Sequence, residues 1–477
     1  MNPIDRGRSV SRGAGRRRDT IVLVILNLGG IVYTVCQAVL LPTIGALAHG
    51  VHSSVTSTTW VLTVYILSGG VATPILGRLG DMFGKQRALV AMLAAVTIGL
   101  LLSALSDSLA LIIAGRALAG ISSGIFPLGA GIIRDEFPRE RVVTALGVMS
   151  ISVGVGTALG VLIAGPIAAH LNYHWLFWIP FIIAAPTCAA AWRWIPESPI
   201  RPGGTIDWGG ATLLVCGLVV VLLAISQATQ WGWGSARTLG LIAAGAVLLI
   251  IWIRFERGRR DALIDIATMA HPAVWRTNAA AGFSGFSMFT AFAVIPRFVQ
   301  EPASTGWGFG ASVESAGVYL VPATITMVLT APLSGRIERW IGSRLALVSG
   351  CACSGLGFVL IAFSPAVRWH VYAGSALVGV GLGLAYAALP NLIMINVPRG
   401  QTAAATGINT IVRAIGGAVG VSLCTTIITQ SAAGRSAPTL GSYRLSFWLC
   451  AAALAAATWV AFLLPRRGTA ISERRLP

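Results

Sequence analysis

Residues 77–87 read Gly77-Arg78-Leu79-Gly80-Asp81-Met82-Phe83-Gly84-Lys85-Gln86-Arg87, and residues 335–344 read Gly335-Arg336-Ile337-Glu338-Arg339-Trp340-Ile341-Gly342-Ser343-Arg344. The Gly-Arg pair, the later glycine and the closing arginine recur, with one residue deleted. A second match lies at nearly the same distance. Residues 114–138 open Ala114-Gly115-Arg116-Ala117-Leu118 and close at Pro138; residues 373–398 open Ala373-Gly374-Ser375-Ala376-Leu377 and close at Pro398. Both offsets fall at 258–260, so the chain is read as two homologous halves. Repeats of this kind belong to membrane folds in which one half rocks against the other around a central site.

The composition agrees with a membrane solvent. Of 477 residues, 55% are hydrophobic and only 10% charged, with mean hydropathy +0.79. A soluble chain keeps roughly a quarter of its residues charged. Crossing a ~30 Å hydrocarbon core takes about 20 apolar residues at ~1.5 Å each. Fourteen such helices are expected, near 20–47, 57–77, 87–105, 109–132, 142–168, 174–195, 208–228, 238–256, 275–299, 313–335, 344–364, 369–396, 403–430 and 445–464. The expected organisation is an N-tail 1–19, a six-helix half 20–200, a two-helix insert 201–260, a second six-helix half 261–465 and a C-tail 466–477.

The basic residues test that count. They concentrate in alternate loops: Arg78, Lys85 and Arg87; Arg134, Arg139 and Arg141; Arg201; Arg254 to Arg260; Arg336, Arg339 and Arg344; Arg399. The intervening loops hold Arg237, Arg368, Arg435 and Arg444. This is the positive-inside pattern, with both termini expected in the cytoplasm. The net charge of +18 is therefore a topology signal and not a nucleic-acid surface. Tryptophans cluster near the expected helix ends, as interfacial anchors do. The seven cysteines lack metal-ligand spacing and read as small hydrophobes in packed helices. No phosphate loop or nucleophile motif is present, so no enzyme, cofactor or metal site is expected.

The stretch 77–87 resembles the loop 2–3 signature of the major facilitator superfamily. Fourteen helices, with a pair between the halves, resemble its drug:proton antiporter branch. The resemblance covers essentially the whole chain. It implies a bacterial inner-membrane carrier that exports drugs or amphipathic small molecules in exchange for protons by alternating access, and the even repeat reads as a self-sufficient monomer. Gly77, Arg78, Asp81, Gly84 and Arg87 are then the expected conformational latch. The physical reading of the same residues stands beside it: glycines for a tight turn or close packing, an acid that a helix N-terminus favours, and cations that anchor topology.

Arg116 and Arg413 lie inside apolar helices. A mid-membrane guanidinium costs roughly 2.5–3.5 kcal/mol on insertion scales, so each needs a cavity or a partner. By resemblance Arg116 assists proton transfer, and Arg413 takes a structural or coupling role. Gly156 and Gly160 form a close-packing step in the fifth helix. That stretch resembles the family's antiporter signature, but Thr157 stands for its proline and Val161 for a glycine. In the first helix Tyr33 stands where many drug antiporters hold an acid. A tyrosine, with pKa near 10, is poorly suited to proton exchange. Glu314 is the expected coupling acid, with an ordinary helix-terminus role equally open. The expected substrate cavity is lined by Tyr33, Gln37, Phe126, Phe286, Phe289, Tyr386 and Asn409. Two further readings remain at this point: an uncoupled facilitator or importer, and a membrane sensor.

Overall fold

The computed structural model describes residues 3–197, 207–257, 259, 265–363, 367–398, 401–432 and 437–465, without the side chains of 3–16, 41–42, 55–56, 139, 168–169 and 313–314. The described residues form an all-helical membrane-type bundle. α1 (Pro3–Ala38) leads through Val39 into α2 (Leu40–Gly50), and the single turn α3 (Val55–Thr58) leads into α4 (Trp60–Phe83) and α5 (Lys85–Ala104). α6 (Leu109–Gly120) and α7 (Ile125–Glu136) form one rod through a tight turn at Ile121–Gly124. α8 (Arg139–His170) and α9 (Trp175–Trp194) follow, then the pair α10 (Trp208–Trp231) and α11 (Ala236–Glu256). The short α12 (Ile266–Ala270) precedes α13 (Pro272–Gln300), and α14 (Val313–Ala316) runs through a tight turn into α15 (Val321–Phe363). α16 (Arg368–Ile395), α17 (Thr402–Ser431) and α18 (Leu440–Phe462) complete the chain.

Thirteen of these helices are long and apolar enough to cross a membrane, the longest being 47 residues, Gly317–Phe363. That length is about 70 Å at 1.5 Å per residue, more than twice a bilayer core. Gly342 resolves it. Its φ of 81° and ψ of 154° are non-helical and fold the rod into two arms. Both arms lie along α16: the Thr326 hydroxyl donates to the Ala376 carbonyl at 2.8 Å, and the Ser354 hydroxyl to that of Val378 at 3.1 Å. Counting the arms separately gives fourteen apolar rods. The repeat places two helices here, and Gly342 stands between them. Gly84, at the equivalent place in the first copy, has φ 113° and breaks α4 from α5. Glycine recurs at both positions because an L side chain is strained there.

The helix begins at Pro3, inside the stretch expected to be a tail. The first expected helix runs through Val39, whose φ of −68° and ψ of −32° are helical and whose N–H bonds to the Val35 carbonyl at 3.0 Å. Many large apolar side chains point outward, including Leu329, Leu356, Ile98 and Ile182. Trp192, Trp194, Trp208, Trp340 and Trp369 are exposed near helix ends, as membrane-interface anchors are. Cys36, Cys351, Cys424 and Cys450 are buried, but Cys216 is exposed on the outward side of α10.

Candidate functional site

Two helix crossings join the repeated parts. At one, Gly77 of α4 lies against the start of α17. A Cβ on Gly77 would sit 2.7 Å from the Ala403 carbonyl oxygen. At the other, Gly335 of α15 lies against Thr144 of α8, where an added Cβ would sit 3.1 Å from the Thr144 backbone nitrogen. The partner helices bring equivalent glycines. Gly407 faces the Thr73 carbonyl, and Gly147 faces that of Ala331. Gly147 and Gly407 are 260 residues apart, a match the sequence reading passed over. Gly156 and Gly160 pack α8 onto Ile31 and Ala38 of α1, the close approach small residues allow.

Asp81 bonds across the first crossing. Its Oδ2 accepts from the backbone N–H groups of Ala403 and Ala404, both at 3.1 Å. These are donors of the first turn of α17, and Gln401 at the N-cap contributes no side-chain bond to them. Such donors need an acceptor, and the positive end of the helix favours a carboxylate. Asp81 is itself in the last turn of α4, where its own helix disfavours an anion. Two things offset that: the α17 terminus, and Lys85, whose Nζ lies 3.3 Å from Asp81 and 2.6 Å from Asp135. All three side chains are shut away from solvent.

Arg134 adds the opposite charge at the other side of the same junction. Its guanidinium donates to the Val397 carbonyl at 3.0 Å, just past the end of α16, and to the Thr402 hydroxyl. An anion thus meets the start of α17 and a cation meets the end of α16, each matching the local helix dipole. The sequence reading treated Arg134 only as a topology signal. Its one clue was the charge run Arg134-Asp135-Glu136 closing an apolar helix. Of the other latch candidates, Arg78 is half-buried and makes no ion pair among the described residues. Arg87 pairs with Glu197 at 3.4 Å, beyond the end of α9 and away from the crossing. Gly84 supplies the break in the backbone.

The second copy builds something different. Aligned on its two glycines, Arg339 falls where Asp81 stands, and Glu338 falls where Gly80 stands. One residue is about 100° of helix, so Glu338 turns away from the crossing. It is buried and accepts from the Ser343 hydroxyl at 2.5 Å and the Asn391 amide at 2.9 Å. Arg339 is exposed. Among the described residues the charged cross-link is therefore made by the first copy and not the second.

A cavity lies just inside the junction, between the rods α6–α7 and α8 on one side and α16 and α17 on the other. Its enclosed free volume is about 30 Å³, within a partly open recess of about 420 Å³. Phe126, Met149, Tyr386, Pro390, Asn409 and Arg413 are among its lining residues, and no Asp or Glu is. Three of the expected cavity residues, Phe126, Tyr386 and Asn409, are thus brought together. Tyr33 sits behind the wall, its ring edge-on to Phe126 at 5.6 Å and stacked near Tyr65 at 6.1 Å. Gln37 is half-buried outside the lining, and Phe286 and Phe289 pack against Gly420 and Gly417. The Glu314 side chain lies outside the described residues.

The two intramembrane arginines are placed differently. Arg116 is 1% exposed. It donates to the Cys36 carbonyl at 2.9 Å and the Val61 carbonyl at 3.5 Å, and lies 4.0 Å above the Tyr65 ring. Tyr65 in turn donates to the Tyr33 carbonyl at 2.7 Å. Arg116 therefore ties α6 to α1 and α4. Arg413 lies 4.4 Å above the Tyr386 ring and faces the cavity. Neither arginine contacts a carboxylate among the described residues.

The model of the Major Facilitator Superfamily matches residues 26–421. An "Uncharacterized MFS-type transporter" of Mycobacterium tuberculosis is 27% identical over 383 residues, covering 77% of this chain and 53% of its own length. "Multidrug resistance protein 3" of Bacillus subtilis is 26% identical over 375 residues, covering 78% of this chain and 72% of its own. The chain thus spans about half the length of the mycobacterial relative. The crystal structure of the human organic anion transporter MFSD10 (TETRAN) superposes with a TM-score of 0.65 at 15% identity, over 93% of this chain and 99% of that one, a likeness of fold. With a family match over most of its length, two half-repeats crossing through paired glycines and a cavity between them, this chain belongs to the major facilitator superfamily.

Proposed function

We propose that this chain is a secondary active transporter that exports drug-like or amphipathic small molecules from a bacterial cell by alternating access, driven by inward proton movement. The observation that carries the reading is the Asp81 junction. Beside the central cavity, side chains of one half bond to the backbone of the other. Breaking those bonds is what opening on that side requires. In this reading, residues 20–200 and 261–465 are the rocking halves, with 201–260 an insert. The latch end faces the cytoplasm, with both termini, and Gly77, Asp81, Lys85 and Arg134 form the latch. Arg116 braces the first half near Tyr33, and Glu314 remains the coupling acid suggested by sequence. The resistance function named for the bacillar relative supports export. The protein acts as a monomer in the inner membrane.

One observation favours a second reading, an uncoupled facilitator: no carboxylate lines the cavity, and Tyr33 holds the place of an acid. Flux in proteoliposomes separates the two. A cationic dye (ethidium) and an anionic dye (fluorescein) are followed under a pH gradient, with and without a membrane potential. Movement of either dye that follows the pH gradient and collapses with a protonophore supports coupled export. Movement only down the dye's own gradient favours the facilitator, and no movement of either counts against both.

A further inference from the structure

The structure assigns to the central cavity a charge preference: we propose that it takes an aromatic organic anion, with Arg413 as the partner of the negative group. This rests on the reading of the cavity as the transport site and narrows its substrate class. Arg413 is 7% exposed as a residue, and its side chain opens onto the cavity. Unlike Arg116, it has no hydrogen-bond acceptor among the described residues, and its one polar-type contact is the Tyr386 ring. A guanidinium that faces the cavity without a protein acceptor has only water or a ligand to take its hydrogen bonds, and an anion meets it with charge as well.

The rest of the lining sharpens the assignment. The hydroxyls of Ser150, Thr406 and Thr410 donate to the carbonyls of Leu146, Thr402 and Thr406 in their own helices. The Asn409 amide donates to Asn278 at 3.0 Å. The hydroxyl donors are spent on the protein and Asn409 keeps one free N–H, so the charged, directional donors are those of Arg413. The guanidinium fork suits a carboxylate or sulfonate. No Asp or Glu lines the space to favour a cation. Phe126 and Tyr386 on opposite walls supply ring faces for a flat apolar body.

The test uses three probes of one shape and different charge on the purified full-length chain: 2-naphthoate, 2-naphthamide and 2-naphthylmethylammonium, measured by equilibrium dialysis in detergent. Wild type is expected to bind naphthoate roughly tenfold or more tighter than the amide, the worth of one charge-assisted hydrogen bond, and the ammonium most weakly. Arg413→Gln removes the anion's advantage, so that naphthoate and the amide bind alike, and Arg413→Lys keeps part of it. An ammonium that binds as well as naphthoate, absent naphthoate binding, or an Arg413→Gln chain that weakens all three probes equally overturns the proposal. The wild-type order decides the matter even where the glutamine variant fails to fold. Binding with this order and no flux of any dye would sink transport but not the charge preference. Dye flux with no anion preference would do the reverse.

Discussion

Replacing Asp81 by asparagine keeps the shape of the side chain and removes its charge. The amide oxygen can still accept from the start of α17, but as a neutral group. A hydrogen bond to a charged acceptor contributes about 1.5–3 kcal/mol and a neutral one about 0.5–1.5 kcal/mol. Two bonds, from Ala403 and Ala404, each lose about 1 kcal/mol. The lost anion at the α17 terminus costs up to about 1 kcal/mol more. No orphan cation is left behind, because Lys85 keeps Asp135 at 2.6 Å. The closed junction should therefore weaken by about 2–3 kcal/mol, which is roughly 30- to 150-fold in its closed-to-open ratio. Hydrogen–deuterium exchange of a peptide spanning 401–408 reads this directly, since the two amides are the ones Asp81 covers. Their exchange should accelerate by a factor of that order in Asp81→Asn, with turnover reduced and expression unchanged. Exchange within about twofold of wild type, with wild-type flux, would refute the latch.

The neighbouring residues give sharper contrasts. Lys85→Met leaves Asp81 and Asp135 buried together without their shared cation; a cost of about 3–5 kcal/mol is expected, and a wild-type melting curve in detergent would contradict it. Gly77→Ala drives a methyl to 2.7 Å from the Ala403 carbonyl oxygen, which is backbone and cannot rotate away. It should cost about 1–3 kcal/mol and raise exchange in 401–408. Gly240→Ala, whose added Cβ meets nothing within 4 Å, serves as the harmless control; equal effects from both would remove the close-approach argument. Glu338→Gln should leave thermal stability unchanged or improved, because its donors, Ser343 and Asn391, are neutral. Asn391→Leu removes one of the two donors to the carboxyl group, leaving Ser343, and should destabilise by about 1–3 kcal/mol. A large loss from Glu338→Gln alone would mean that the negative charge itself is needed there.

The repeat made the fold legible, and it did so through glycine. Gly84 and Gly342 recur because both breaks need positive φ, and Gly77 and Gly335 because both crossings need bare backbone. These are demands of geometry that only one residue type meets, so they survive in the sequence as identities. The chemistry between them left a weaker trace. Glu338 was passed over because its acid stands one position before the place matching Asp81, and one position decides which neighbour a helical side chain meets. Arg134 was hidden among loop arginines that all carry the same topology signal. In the cavity, Phe126, Tyr386 and Asn409 were found. Tyr33, Gln37, Phe286 and Phe289 fall elsewhere because a helix that is apolar all round gives no periodic signal for which face is inside. The two arginines show the limit most clearly. Each announces a cost that something must meet, but the answer for Arg116 is a pair of carbonyls 80 and 55 residues away. Nothing in its own helix names them. For Arg413 no acceptor arrives from any described helix, and that difference separates an arginine that braces the bundle from one that faces a cavity still owing it an anion.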